Sequence, residues 1–181
     1  MKQTILARRY AKAIFSIGQE QATYDQYNEV FQGLAALYAS HPEVVDAVTN
    51  PLYPMDVKEK VMKGIVASMG VDTIVGNFLN LLVQKKRAEL LPEIAEAFQS
   101  MVDGAKNISH GNVISAVELD DSLKANVQKV LEKLTGKKVK LTTSVDPAII
   151  GGIIAKVGDL VFDGSIRTQL AGLKDSIKGR E

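Results

Sequence analysis

Over residues 4–105 the apolar positions recur every three or four residues, the period of a helix with one dry face. Leu6, Tyr10, Ala13 and Ile17 form one stripe, and Tyr27, Val30, Phe31, Leu34 and Leu37 form another. His41 and Pro42 end the second helix, because the residue before a proline is pushed out of helical conformation. A short helix is predicted over 42–47, and Pro51 and Pro54 bracket a loop. Helical spacing resumes over 55–69 with Asp56 near the positive end, and Gly70 is the expected stop. Two more helices are predicted over 72–85 and 88–105, the latter with Leu91, Ile94, Phe98 and Met101 on one side. Six helices with short connections indicate a bundle.

Near Lys106 the period changes. GNVISAVEL, residues 111–119, alternates and is β-branched, as a strand should be. Asp120 and Asp121 offer N-caps for a helix through Leu134 whose inner face carries Leu123, Val127, Val130, Leu131 and Leu134. KKVKLTTSV, residues 137–145, alternates again. The chain ends in an amphipathic helix with Ile166, Leu170, Leu173 and Ile177 on one side. Strand, helix, three strands, helix is the order of a small α/β domain. The fold class is therefore α+β in two domains: a six-helix bundle over 1–105, then a smaller α/β domain over 106–181. The boundary is expected between Asp103 and His110, where Gly, Asn and Ser cluster.

Between the second strand and the last helix lies DPAIIGGIIAKVGDLVFDGSI, residues 146–166, with four glycines and three aspartates. Glycines at 151, 152, 158 and 164 fit neither a dinucleotide fingerprint nor a P-loop. Asp159, Asp163 and Gly164 fall at positions 1, 5 and 6 of a calcium loop, but Val161 and Leu170 stand where positions 3 and 12 need oxygen ligands. The residues read instead as punctuation. Gly158 and Asp159 make a two-residue hairpin turn. Gly151 and Gly152 sit within a strand and permit a bulge or close backbone approach. Asp163, Gly164 and Ser165 turn the chain and cap the last helix.

Composition narrows the chemistry further. With 22 basic and 21 acidic residues the net charge is +1, and the halves differ little, −2 over 1–105 and +3 over 106–181, so no field recruits a polyanion. Cysteine is absent, which removes thiolate metal sites and cysteine nucleophiles. The longest apolar stretch, 148–155, is far short of the roughly 20 residues that a bilayer requires, and MKQTILARRYAKAIF carries charge where a signal peptide needs an apolar core. His41 stands at a helix end and His110 in the expected linker, neither with a ligand set around it. Lys85, Lys86 and Arg87 close a helix, and Lys137, Lys138 and Lys140 read as a solvated strand face; no aromatic residues interleave with them to stack bases. No catalytic group, cofactor or metal site is expected.

The run D-P-x-I-I-G-G-I-I-x-x-V-G-D-x-V-x-D-G-S-I-x-x-x-L-x-x-L, Asp146 to Leu173, which includes Pro147, Gly151, Gly152, Gly158, Asp159, Asp163, Gly164 and Ser165, resembles the signature of the F-type ATP synthase delta subunit family. That family is related to the mitochondrial oligomycin-sensitivity-conferring protein. ARRYAKAIF, residues 7–15, and NFLNLLVQKKRAELLPEI, residues 77–94, resemble its opening helix and its fifth and sixth helices. The resemblance implies a non-catalytic stator, one copy per synthase complex, that ties the catalytic head to the b-subunit stalk from the cytoplasmic face of a bacterial membrane without entering it, and is soluble when isolated. It also implies that a groove between the first and fifth helices receives the N-terminal helix of an α subunit. On the fifth helix the apolar arc spans about 200°, wider than one core-facing stripe, so the helix is either central to the bundle or exposes part of that arc to another chain. Tyr10, Ala13 and Ile14 facing Phe78, Leu79 and Leu82 are the expected walls. The rival class is a nucleic-acid-binding regulator built on a helical bundle.

Overall fold

The helical spacing of the first half becomes six α-helices: α1 (Ile5–Glu20), α2 (Tyr24–Ser40), α3 (Pro42–Thr49), α4 (Met55–Ser68), α5 (Thr73–Gln84) and α6 (Leu91–Ala105). They are seen in a computed structural model that describes residues 5–178, with side chains through residue 174. The helix expected over 88–105 is divided. A 3-10 turn (Ala88–Leu90) precedes α6, which places Pro92 in a first helical turn, where its missing N–H costs nothing.

One core joins these helices. Tyr27, Phe31, Leu34, Met62, Leu79, Leu82, Leu91, Ile94 and Phe98 are all sealed from solvent within it. Aromatic rings meet edge-on or tilted through its centre, Phe31 with Phe98 at 5.0 Å and Phe15 with Phe98 at 5.7 Å. Such pairs add about 0.5–1.5 kcal/mol each beyond the area they bury. The Tyr27 hydroxyl donates to Asp72 Oδ2 at 2.9 Å, tying α2 to the residue that opens α5.

The stripe on α1 is rotated from its expected position. Ala7, Ala11, Ile14 and Gly18 are buried, whereas Ile17 is 38% exposed. The buried set sits one residue along from Leu6, Tyr10, Ala13 and Ile17, about 100° around the helix. The bulkier residues looked like the core face, but small side chains fill it because they let α1 approach its neighbours closely.

The second half contains β1 (Ile108–Ser115), α7 (Asp121–Thr135), β2 (Lys138–Val145), a 3-10 turn (Pro147–Ile149), β3 (Ile153–Val157), β4 (Leu160–Asp163) and α8 (Ile166–Lys178). The sheet order is β2-β1-β3-β4, with β1 and β2 parallel and the other pairs antiparallel. The chain divides into two compact units, Met1–Val102 and Asp103–Glu181, a division that falls in the last turn of α6. His110 is not in a linker. It lies in β1, which starts three residues before the expected strand, and its Nε2 is 2.8 Å from Oδ2 of the buried Asp103.

Asp120 caps α7 by accepting from the Leu123 N–H at 2.7 Å, and Gly136 closes the helix in the left-handed conformation. The inner face read on α7 is largely uncovered. Leu131 is buried, but Leu123, Val130 and Leu134 are exposed, since α7 packs chiefly along β2, an edge strand of the sheet, and part of its apolar face has no strand to cover it. Of the stripe on α8, Ile166, Leu170 and Leu173 are exposed, and the side chain of Ile177 lies outside the described residues.

Residues 146–166 fold as a set of interlocking turns. Asp146 accepts from the Ala148 N–H at 2.9 Å and so caps the 3-10 turn opened by Pro147. Ile150 follows at φ +68°, ψ −44°, strained for a β-branched residue, with the Gly151 N–H donating to the Ile149 carbonyl at 2.8 Å. Gly151 and Gly152 lie in a bend before β3 and not inside a strand, because the segment must leave the sheet there to pass beside Gly164 and Ile166. Gly152 has φ +79°, and a Cβ there would overlap the Gly164 carbonyl oxygen. Backbone bonds hold the crossing: Ile166 N–H to Gly151 O at 3.0 Å, and Gly164 N–H to Ile153 O at 2.9 Å. Gly158, at φ +58°, turns β3 into β4 together with Asp159.

Ser165, itself buried, is the N-cap of α8: its Oγ accepts from the Thr168 N–H at 3.2 Å. Behind it, Asp163 accepts from the Ser165 N–H at 2.9 Å and from the Thr168 hydroxyl at 2.8 Å. The Ser165 N–H, followed by the Ser165 and Thr168 side chains, holds the Asp163 carboxyl below its ordinary range. The Leu123 N–H does the same for Asp120.

Two predictions follow from this packing. Leu79→Ala should destabilise the helical unit by about 2–5 kcal/mol, whereas Leu81→Ala, at a 41% exposed position on the same helix, should stay within about 0.5 kcal/mol; urea melts of both variants check the contrast. For the turns, the depressed carboxyls favour the folded state above the ordinary carboxylate range of about pH 4 and lose that contribution as pH falls below it. Thermal melts between pH 7 and 3 should show the β-containing unit losing stability only at the acid end. Asp163→Asn should flatten that fall, and Gly152→Ala should lower stability at every pH by at least about 1–2 kcal/mol from its backbone conformation alone.

Candidate functional site

An α-helix buries one stripe fully, and α5 carries apolar residues on two. Val75, Gly76, Leu79, Leu82 and Val83 face the core. Ile74, Phe78 and Leu81, spaced i, i+4, i+7, form a second stripe that is half-buried to exposed. The same holds on α1, where Tyr10, Ala13 and Ile17 flank the buried stripe. The two flanking stripes face one another across an open apolar groove of about 630 Å³.

Of the six expected walls, Tyr10, Ala13, Ile14 and Phe78 line this groove. Leu79 and Leu82 do not. Both are wholly buried in the core, one helical step away from the lining face. Ile17, Ile74, Asn77, Leu81 and Arg9 complete the walls and rim. The spacing of Ile74, Phe78 and Leu81 could have revealed the second stripe, but an arc of 200° does not say which part of it the core takes.

The walls are held in place from behind. Phe78 meets Tyr10 at 6.3 Å, nearly edge-on, and meets the buried Phe31 at 5.8 Å and 84°. Ile14 forms the floor with 1% exposure. One end of the groove runs into a polar recess of about 310 Å³ that shares Asn77 and Leu81 and includes Glu59, Lys63 and Asn80. There Gln84 Nε2 donates to Glu59 Oε1 at 3.0 Å, while the buried Oδ1 of Asn80 has no hydrogen-bond partner among the described residues. Such a slot can desolvate one apolar face of an amphipathic helix. Arg9, the Tyr10 hydroxyl and Asn77 are the polar groups of an otherwise apolar lining.

The signature residues 146–165 make turns and caps, as described above, and among the described residues no group of three or more His, Asp or Glu could hold a metal ion. No helix among them is long and apolar enough to cross a membrane.

Comparison with known proteins covers nearly the whole chain. The model of the family described as ATP synthase delta (OSCP) subunit matches residues 6–177. The chain is 70% identical over 181 residues to the ATP synthase subunit delta of Desulfotalea psychrophila, covering all of both chains. It is 40% identical to that of Desulfosudis oleivorans, covering all of this chain and 99% of the other. Among solved structures it is similar in fold to a chain of the Toxoplasma gondii mitochondrial ATP synthase hexamer, with a TM-score of 0.71 at 20% identity, over 96% of this chain and 98% of that one. The full-length match to the family and the 70% identity carry the assignment: the chain belongs to the ATP synthase delta (OSCP) subunit family.

Proposed function

We propose that the chain works as a stator, with the α1–α5 groove receiving the amphipathic N-terminal helix of an α subunit. As a delta-type subunit it is a non-catalytic component of the peripheral stalk of an ATP synthase, which sets aside the nucleic-acid alternative. In this reading the six-helix bundle grips the catalytic head and the unit from Asp103 onward meets the b-subunit stalk. One copy serves each complex, at the cytoplasmic face of the membrane. The observation that carries the reading is the groove itself, an apolar slot left open beside a sealed core. The exposed Val130, Leu134 and Phe162 around an apolar recess of about 330 Å³ support a second contact surface on the other unit.

The mechanism is mechanical. Torque on the head must pass through two interfaces in series, and each holds the other's partner at high effective concentration, so neither requires extreme affinity alone. A preformed groove suits this task because its walls need little reordering on binding.

Ala13 tests the groove. It is exposed, lies on the lining and carries no bulk to keep an incoming helix away. Ala13→Asp places a carboxylate in water in the free chain but buries it unpaired in the complex, at a cost of several kcal/mol. Calorimetric titration with an α-subunit N-terminal peptide should show binding weakened by at least about 100-fold, while the melting temperature stays within a few degrees. Unchanged affinity would remove Ala13 from the interface and the groove from the function.

A further inference from the structure

The α1–α5 groove has two electrically different ends. The Tyr27 hydroxyl stands 2.9 Å from Asp72 Oδ2 and 3.2 Å from Gln21 Oε1. Gln21 follows the last residue of α1 and Asp72 precedes the first of α5, so the two helices run in opposite directions along the groove. Ile17 and Ile74 therefore share one end of it, and Arg9 and Leu81 share the other. At the first end stand the exposed Glu20, one turn beyond Ile17, and the exposed Asp72. At the second stand Arg9, exposed on the lining, and the exposed Lys85, one turn beyond Leu81.

Neither end is neutralised by its surroundings. No lysine or arginine occurs between Lys12 and Lys58 or between Lys63 and Lys85, and no aspartate or glutamate precedes Glu20. Among the described residues Glu20, Arg9 and Lys85 have no ion-pair partner. Lys86 and Arg87 add to the basic end, while Glu59 and Lys63 in the adjoining recess contribute one charge of each sign. Along the axis of α1, Glu20 and Arg9 are about 16 Å apart. That is about twice the screening length at physiological ionic strength, so the two ends act separately on whatever lies between them.

We propose that the groove selects the direction of the helix it takes: the helix docks with its cationic end against Glu20 and Asp72 and its anionic end against Arg9 and Lys85. The inference rests on the reading of the groove as the seat of an α-subunit N-terminal helix, and it adds the orientation of that helix. The apolar walls do not supply a direction. Ile17, Ile74 and Leu81 desolvate an apolar face equally well either way round. Reversed docking instead brings like charges together at both ends, which works against the wrong orientation more than it strengthens the right one.

The test titrates the full chain with an α-subunit N-terminal peptide that carries a nitroxide at one end, and in a parallel sample at the other. The label on the peptide end richer in lysine and arginine should broaden the methyl signals of Ile17 and Ile74 far more than those of Leu81. The label on the opposite end should do the reverse, and a peptide synthesised with its end charges exchanged should turn round. A chain with Arg9→Glu, Glu20→Lys and Lys85→Glu together removes the polarity of the groove; Asp72 is left in place because it holds the Tyr27 hydroxyl. In that chain each label should broaden both sets of signals and affinity should fall a few-fold, with the melting temperature little changed because all three side chains are exposed. Broadening of both sets by either label in the unaltered chain overturns the directional reading alone. So does the opposite placement, or a single orientation that survives the three charge reversals. A peptide whose labels broaden neither set overturns both this inference and the groove as the seat of the α-subunit helix.

Discussion

Phe78 stands between the sealed core and the open groove. Its ring meets Phe31 on the buried side at 5.8 Å and Tyr10 at 6.3 Å. From Phe31 the aromatic contacts continue to Phe98 and on to Phe15 and Tyr24. A close-packed interior resists small displacements and passes strain on instead of absorbing it. A load applied to the groove wall therefore reaches the centre of the helical unit through rigid rings. If Phe78 were free to rotate, the slot would have to be organised anew with each binding event, at an entropic cost that weakens the grip.

The second unit is built by different means. Its buried cluster is small, with Val113, Leu131, Val139, Ala155 and Val157 near its centre. Backbone geometry makes up part of what a small core cannot supply. Gly152 admits the Gly164 carbonyl, Asp163 and Ser165 tie the chain reversal to the first turn of α8, and Asp120 fixes the start of α7. These turns need particular residues and tolerate few others, which is why the stretch 146–166 is so distinctive in composition. They fix the crossing of β3 past the start of α8 and the reversal from β3 into β4.

Element type was legible along most of the chain because helical and alternating periods are strong local signals, and the hairpin at Gly158 and the cap at Ser165 follow from turn chemistry alone. What was not legible depends on neighbours. The face of α1 that enters the core is set by how near its partners lie, and small residues at 7, 11 and 18 carry no hydrophobic signal to announce it. Leu79 and Leu82 look equivalent to Leu81 in the sequence, yet one step around the helix separates complete burial from 41% exposure. The pairing of Asp103 with His110 was hidden for the same reason, because a composition that reads as linker was folded into a helix end and a strand.

The central claim is that the two stripes of α5 have separate duties, one sealing the core and the other gripping a partner helix. Methyl-resolved NMR of the full chain, titrated with an α-subunit N-terminal peptide, addresses it residue by residue. The methyl signals of Ile17, Ile74 and Leu81 should shift first and furthest, with those of Leu79 and Leu82 moving little at saturation. Shifts centred outside the α1–α5 groove, or a saturating peptide that leaves Leu81 unmoved, would contradict the division of labour on which this account of the molecule rests.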